Sequence, residues 1–235
     1  MSNYLHYLQS ISNQKTFQRK MDYLDYNFKK FLQFKNPADA KILEIGPGLG
    51  ESVCYLNNKK VFNIDILDND ESILKNLKEK FKINNTFLSS TPLGEVDNKL
   101  GSYDAIIATQ IFEHIPKEEY SEFLRITYSH LKIGGYLIIT VPNMANPFTT
   151  CERYADITHE NGFTDNSLHE LAHQGNISDI KIKIQEFNIP PYSFLNIIRI
   201  ILQKILHFFI LVLSIINGGS YSKLLTPNIT LIIQK

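Results

Sequence analysis

Between residues 41 and 141, short and nearly continuous apolar runs alternate with stretches whose apolar residues recur every three or four positions. Runs of that length bounded by turn residues read as strands, and the periodic stretches between them as helices. The predicted strands are 41–45, 61–64, 85–88, 103–108 and 136–141, with helices over 50–57, 70–81 and 117–131. Strands that alternate with helices pair in parallel through crossovers, and a parallel sheet buries both faces, which explains strands that are apolar almost throughout. Residues 180–187 alternate as a further strand, Pro190-Pro191 breaks it, and 228–234 supplies a last one.

The fold expected is therefore α/β: a Rossmann-like, seven-stranded, mostly parallel sheet with one antiparallel strand and helices on both faces. Tyr4, Leu5, Leu8, Ile11, Phe17, Met21, Leu24, Phe28 and Phe31 have helical spacing and predict an N-terminal helical cap that Asn36-Pro37 ends. A chain of 235 residues suits one such domain over 37–235 with the cap as 1–36. Within it, 142–179 form an acceptor-side loop and helix, and 190–226 an apolar helical insertion before the last strand. Acidic and basic residues number 24 each, so no global field favours nucleic acid as a partner. Cys54 and Cys151 stand far apart in no metal or redox spacing, which fits a reducing cytoplasm. The N-terminal segment has neither the basic start nor the apolar run of a signal peptide, so a cytoplasmic location is expected.

Function enters with Glu44-Ile-Gly46-Pro-Gly48-Leu-Gly50, which follows the first strand and opens the first sheet-covering helix. Glycines in that place let a backbone approach a nucleotide closely. Asp65, at the end of the second predicted strand, stands where a carboxylate accepts hydrogen bonds from ribose hydroxyls. Glu44 separates two cofactor classes: a carboxylate before the first glycine repels a pyrophosphate but suits the ammonium and sulfonium of S-adenosylmethionine.

With these elements in order, the chain resembles the class I S-adenosylmethionine-dependent methyltransferases, and among them the small-molecule and glycan group. The resemblance runs over roughly 38–187, through Lys41-Ile-Leu-Glu-Ile-Gly-Pro-Gly-Leu-Gly50, Phe62-Asn-Ile-Asp65, the segment 103–116 and the segment 131–143. It implies that Glu44, Gly46, Gly48 and Gly50 line the methionine end of the cofactor, that Asp65 and Ile66 hold the ribose, and that Thr109 and Gln110 close the other side. Where such proteins usually carry an acid against the adenine, this chain reads Phe87-Leu-Ser-Ser-Thr-Pro92, which leaves Ser90 or Thr91 for that contact. S-adenosylhomocysteine is the product the resemblance implies.

Methyl transfer needs alignment of acceptor, methyl and sulfur, and a base where the acceptor is a hydroxyl. Two places past the strand ends offer one. Glu113-His114 follows the fourth strand, and Asp156-Ile-Thr-His159 lies in a polar loop resembling the Asp-x-Thr-His of glycan-type relatives. Asp156 there is expected to orient His159, which makes His159 the preferred base over His114. No ligand spacing predicts a metal. Tyr23 and Tyr26 in the cap are placed to fold over the cofactor mouth.

Residues 194–216 form the most apolar stretch, interrupted by Arg199, Gln203, Lys204 and His207. Lying between two strands of one sheet, it reads as a helix on a membrane surface, a homodimer face or a buried lid over the acceptor pocket. The function expected is methyl transfer to an oxygen of a sugar, a surface glycan precursor of capsule or lipopolysaccharide, or an activated metabolite such as a phosphoramidate, with a peripheral position at the inner membrane face under the first of those readings. The alternatives are N- or C-methylation of another small molecule, nucleotide-cofactor oxidoreduction, which Glu44 and the glycine spacing oppose, and a catalytically silent cofactor-binding scaffold.

Overall fold

The computed structural model describes residues 3–89, 93–178, 181–218 and 221–235. Its strands are β1 Lys41–Ile45, β2 Asn63–Asp68, β3 Asn85–Leu88, β4 Tyr103–Thr109, β5 Leu131–Pro142, β6 Ile182–Glu186 and β7 Asn228–Gln234. They form one seven-stranded sheet in the order β3-β2-β1-β4-β5-β7-β6. β1 to β5 pair in parallel, and β7 runs antiparallel between β5 and β6, so the mostly parallel sheet with one antiparallel strand is found as expected.

The period of two along each strand divides the core. Ile42, Ile64, Ile66 and Ile107 face Leu24, Phe28, Val53 and Leu77 on one side. Leu43, Leu67, Ile106 and Ile139 face Phe123, Leu124, Leu168 and Ala172 on the other. The helices carrying these residues are α2 Gln14–Phe28, α3 Glu51–Asn58 and α4 Glu71–Lys80 on the first face, with α5 Tyr120–Ser129 and α7 Asp165–Gln174 on the second. Each such fully buried aliphatic side chain contributes about 1.5–3 kcal/mol relative to exposure.

The cap consists of α1 Asn3–Ile11 and α2, the latter started by a reciprocal capping box between Asn13 and Thr16. Asn27 fastens the cap to the chain after β6: its Nδ2 donates to the Asn188 carbonyl at 2.9 Å, and its Oδ1 accepts from the Asn188 N–H at 2.7 Å. Between β5 and α7 lies α6 Thr150–Ala155, and between β6 and β7 lies α8 Phe194–Ile216, whose start Ser193 caps.

Two strands, β2 and β5, differ most from expectation. β2 begins and ends later than 61–64, because Val61 belongs to the turn that closes α3 and donates its N–H to Leu56. β5 begins earlier than 136, with a register shift where Leu131 and Tyr136 meet β4.

Candidate active site

β1 and β4 are neighbours at the point where the strand order reverses, and a cleft opens above their C-terminal ends. It encloses about 720 Å³ and is lined by Glu44, Gly46, Gly48, Thr109 and Gln110 from the sheet, and by Tyr4, Arg19, Lys20 and Tyr23 from the cap. A second hollow of about 260 Å³ adjoins it, lined by Leu67, Asp68, Asn69, Ser89, His114 and Pro116. Gly46 and Ile111 border both. A Cβ at Gly46 would fall 2.0 Å from the Ile111 side chain, so the missing side chain at 46 admits Ile111, the wall between the two hollows. Gly48 has φ +54°, and a Cβ there would meet no protein atom within 4 Å. Gly50 caps α3 and faces Leu77 of α4 and Phe81, which follows that helix, so it serves packing and is absent from the cleft lining.

Glu44 is buried, and its Oε1 accepts a hydrogen bond from Ser52 Oγ. Its Oε2 has no partner among the described residues, and neither has Thr109 Oγ1. Burial pushes the Glu44 carboxyl up to about 8; Ser52 opposes the shift and the Glu51 charge adds to it. Gln110 adopts the left-handed region at φ +57°, uncommon for a residue with a side chain and concentrated at functional sites. Its N–H donates to the Thr140 carbonyl at 2.9 Å and its Nε2 to Asn228 Oδ1 at 3.2 Å. A buried carboxylate oxygen and a hydroxyl, both unpaired and both on the wall of one cleft, leave room for a ligand that brings a cation and hydrogen-bonding groups. The methionine end of S-adenosylmethionine fits that requirement.

Asp65 does not reach the cleft. It is the third residue of β2 and fully buried, with its carboxylate turned to the opposite rim of the sheet. There it accepts from Tyr103 Oη at 2.9 Å, Asn85 Nδ2 at 2.8 Å and Asn84 Nδ2 at 3.2 Å, and pairs with Lys41 Nζ at 3.3 Å. Ile66 points into the apolar core. The acid at the strand end is Asp68, three residues and about 10 Å farther on and on the other face. Asp68 and Asn69 line the smaller hollow, and Asp68 Oδ1 accepts the Asp70 N–H at 2.9 Å. Burial pushes the Asp68 carboxyl up to about 6. Of the acids on β2, Asp68 and not Asp65 borders a hollow beside the cleft, together with Asn69, while Ile66 lines neither hollow. Ser90 and Thr91 lie outside the described residues, while Ser89, which precedes them, lines the same hollow.

The histidine candidates come together. His114 closes a 3-10 turn, Phe112–His114, and its ring lies 4.6 Å from that of His159. The loop bearing His159 is held against this turn, since the N–H groups of Glu160 and Asn161 donate to the Glu113 carbonyl and Arg153 donates to the carbonyls of His159 and Glu160. Asp156, however, does not orient His159. Its Oδ1 accepts from the Thr158 hydroxyl at 2.7 Å, and Thr158 Oγ1 lies 2.9 Å from His114 Nδ1. With the Thr158 hydroxyl donating its hydrogen bond to Asp156, Nδ1 of His114 carries the hydrogen that Thr158 Oγ1 accepts, and Nε2 presents a lone pair. Burial and the neighbouring His159 hold His114 below the usual imidazole range. Glu113 is buried beside this pair, and neither of its carboxyl oxygens has a partner in another of the described residues. Burial, then the charges of Asp156 and Glu152, push it up to about 8. Sequence spacing passed over Thr158, although Asp-x-Thr is the spacing at which a side chain bonds two residues on.

In the cap, Tyr23 lines the cleft and stacks on Phe187 at 5.6 Å, whereas Tyr26 packs edge-on against Tyr192 away from it. α8 borders the cleft through Arg199 and Gln203 but buries none of its side chains, so it is not the buried lid among the three readings.

A parallel sheet closed by an antiparallel strand β7, with a glycine-lined cleft bearing a buried glutamate at its reversal point, is the architecture of class I S-adenosylmethionine-dependent methyltransferases. The chain belongs to the methyltransferase-domain family, whose sequence model matches residues 14–180, and S-adenosylmethionine is its cofactor. It is 28% identical over 137 residues to the Haemophilus influenzae protein described as "Probable S-adenosyl-L-methionine-dependent methyltransferase TehB", a match covering 57% of this chain and 45% of that protein. The chain thus spans less than half the length of the curated relative it matches. Among solved structures it is similar to a methyltransferase of Archaeoglobus fulgidus, with TM-score 0.69 and 20% identity over all of both chains. It is also similar to an O-methyltransferase family protein of Burkholderia thailandensis, with TM-score 0.56 and 10% identity over 94% of this chain and 58% of that one.

Proposed function

We propose that the protein transfers the methyl group of S-adenosylmethionine to an oxygen of a sugar, a surface-glycan precursor or a related activated metabolite. The observation that carries the reading is the unpaired buried oxygen of Glu44 on the wall of the cleft. When bound, the cofactor supplies a methyl carbon activated by a sulfonium leaving group. Glu44 and Thr109 receive its ammonium and carboxylate end, Asp68 accepts from the ribose hydroxyls, and Ser89 and Asn69 border the adenine side. Tyr23 and the rest of the cap exclude water from above.

A hydroxyl acceptor must lose its proton as the methyl arrives. The cluster of Glu113, His114 and His159 supports that task, for its His114 borders the smaller hollow, and Glu152, whose carboxyl feels His159, borders the larger. α8 supports an acceptor carried on a lipid at the inner face of the membrane. It is 23 residues long, apolar and exposed along its length, while Arg199 and Gln203 face the cleft.

The experiment is turnover of methyl-labelled S-adenosylmethionine with a panel of sugar, nucleotide-sugar and amine acceptors. Label in an alkali-stable ether of a sugar acceptor is the expected result, with turnover lost in His114→Ala and His159→Ala while cofactor affinity is kept. Label only in amines overturns the oxygen reading, and binding of NADH in place of S-adenosylmethionine overturns methyl transfer itself.

A further inference from the structure

We propose that Glu113, His114 and His159 form a binding site for one first-row divalent transition-metal ion beside the cofactor cleft. One ligating atom from each residue lies within 4.8 Å of the others. Two imidazoles and one carboxylate are the ligand set that suits Mn²⁺, Fe²⁺, Co²⁺ or Zn²⁺ over the all-oxygen cages of Ca²⁺ and Mg²⁺. Bond lengths near 2.1 Å need ligand atoms roughly 3 to 3.5 Å apart, a modest inward rotation of side chains from this spacing.

Three independent observations point to a ligand here. Glu113 is only 1% exposed, and neither carboxyl oxygen meets a partner in another of the described residues, a costly arrangement unless something else fills the space. His114 is oriented from behind by the chain Asp156–Thr158–His114 Nδ1, which leaves Nε2 to ligate; metal-bound histidines are held in this way through their other nitrogen. The His159 loop is fixed to the Glu113 backbone by two N–H donors and by Arg153, so the three ligands sit on one braced unit.

Three protein ligands leave open positions for an acceptor hydroxyl, or for two adjacent hydroxyls of a sugar. This use of the site rests on the oxygen-methylation reading above. The cation then lowers the pKa of the hydroxyl, which gives its proton to water. The oxygen lone pair forms the new bond to the methyl carbon, and the electron pair of the breaking C–S bond stays on sulfur. No imidazole need act as the base.

The test uses the full chain, stripped with a chelator and titrated with Mn²⁺ by calorimetry and by electron paramagnetic resonance. One Mn²⁺ per chain is expected. Glu113→Gln, which keeps shape, and His159→Ala, on an exposed loop, should each lose it, while Thr158→Val weakens it 10- to 100-fold. His173→Ala serves as control, because His169 and His173 form a second imidazole pair at 4.7 Å on α7. Absence of stoichiometric binding in a protein that still binds S-adenosylmethionine overturns the site, as does loss of binding in His173→Ala alone. Binding through the triad without methylation of any hydroxyl overturns the acceptor reading and leaves the site standing.

Discussion

Asp68→Ala and Asp65→Ala should have opposite consequences. Asp68 ends β2 and borders the smaller hollow, so under the proposed function its loss removes the carboxylate that accepts from the cofactor's ribose. A hydrogen bond to a charged group contributes about 1.5–3 kcal/mol, which predicts cofactor affinity lower by roughly 10- to 150-fold. Stability should fall by only about 1 kcal/mol, through the lost bond to the Asp70 N–H. Asp65→Ala leaves Lys41 Nζ without its ion pair and Tyr103 Oη, Asn84 and Asn85 without their acceptor. Breaking a buried pair in this way costs about 3–5 kcal/mol of stability, while folded molecules should bind the cofactor within about twofold of wild type. Calorimetric titration with S-adenosylhomocysteine, beside urea midpoints for the same preparations, separates the two effects. If folded Asp65→Ala loses affinity and Asp68→Ala keeps it, the placement of the ribose on Asp68 is refuted.

Cofactor affinity should rise with pH up to about 8, where Glu44 ionises in the free cleft, and carry a further inflection near 6, below which the buried Asp68 carboxyl is protonated and offers the ribose a poorer acceptor. Asp68→Asn should remove this inflection from a binding profile recorded between pH 5 and 8. Gly46→Ala should weaken cofactor binding by driving its Cβ into Ile111, and Ile111→Ala in the same chain should restore part of it, whereas Gly48→Val should lose binding with no rescue from Ile111. Flotation with anionic liposomes is expected for the wild type, and to fall in a variant with Phe208→Asp and Leu213→Asp, both exposed on α8, without change in cofactor affinity.

The sheet was legible because burial on both faces forces near-continuous apolar strands, and 85–88, 194–216 and 228–234 match their observed limits. The glycine turn was legible for the same local reason. The acid at the end of β2 was not, since Ile64-Asp-Ile-Leu-Asp68 offers two acids three residues apart and the apolar residue Val61 places the strand too early. The distinguishing signal is the helix start: Asp70 caps α4, so the acid nearest that cap ends the strand. The orienting chain through Thr158 was also hidden, because it joins residues 44 apart and depends on how the loop after α6 folds back on Phe112–His114. Periodicity carries no information about such contacts.

The central claim, that Glu44 receives the cation of S-adenosylmethionine, is tested most directly by proton release. With its carboxyl raised to about 8, Glu44 is about nine-tenths protonated at pH 7 in the free cleft and must ionise to face the ammonium. Calorimetric titration with S-adenosylmethionine at pH 7, repeated in buffers of different ionisation enthalpy, should therefore report close to one proton released per molecule bound, and Glu44→Gln should lose that release together with most of the affinity. Binding of equal strength in Glu44→Gln, with no proton released by the wild type, would contradict the account.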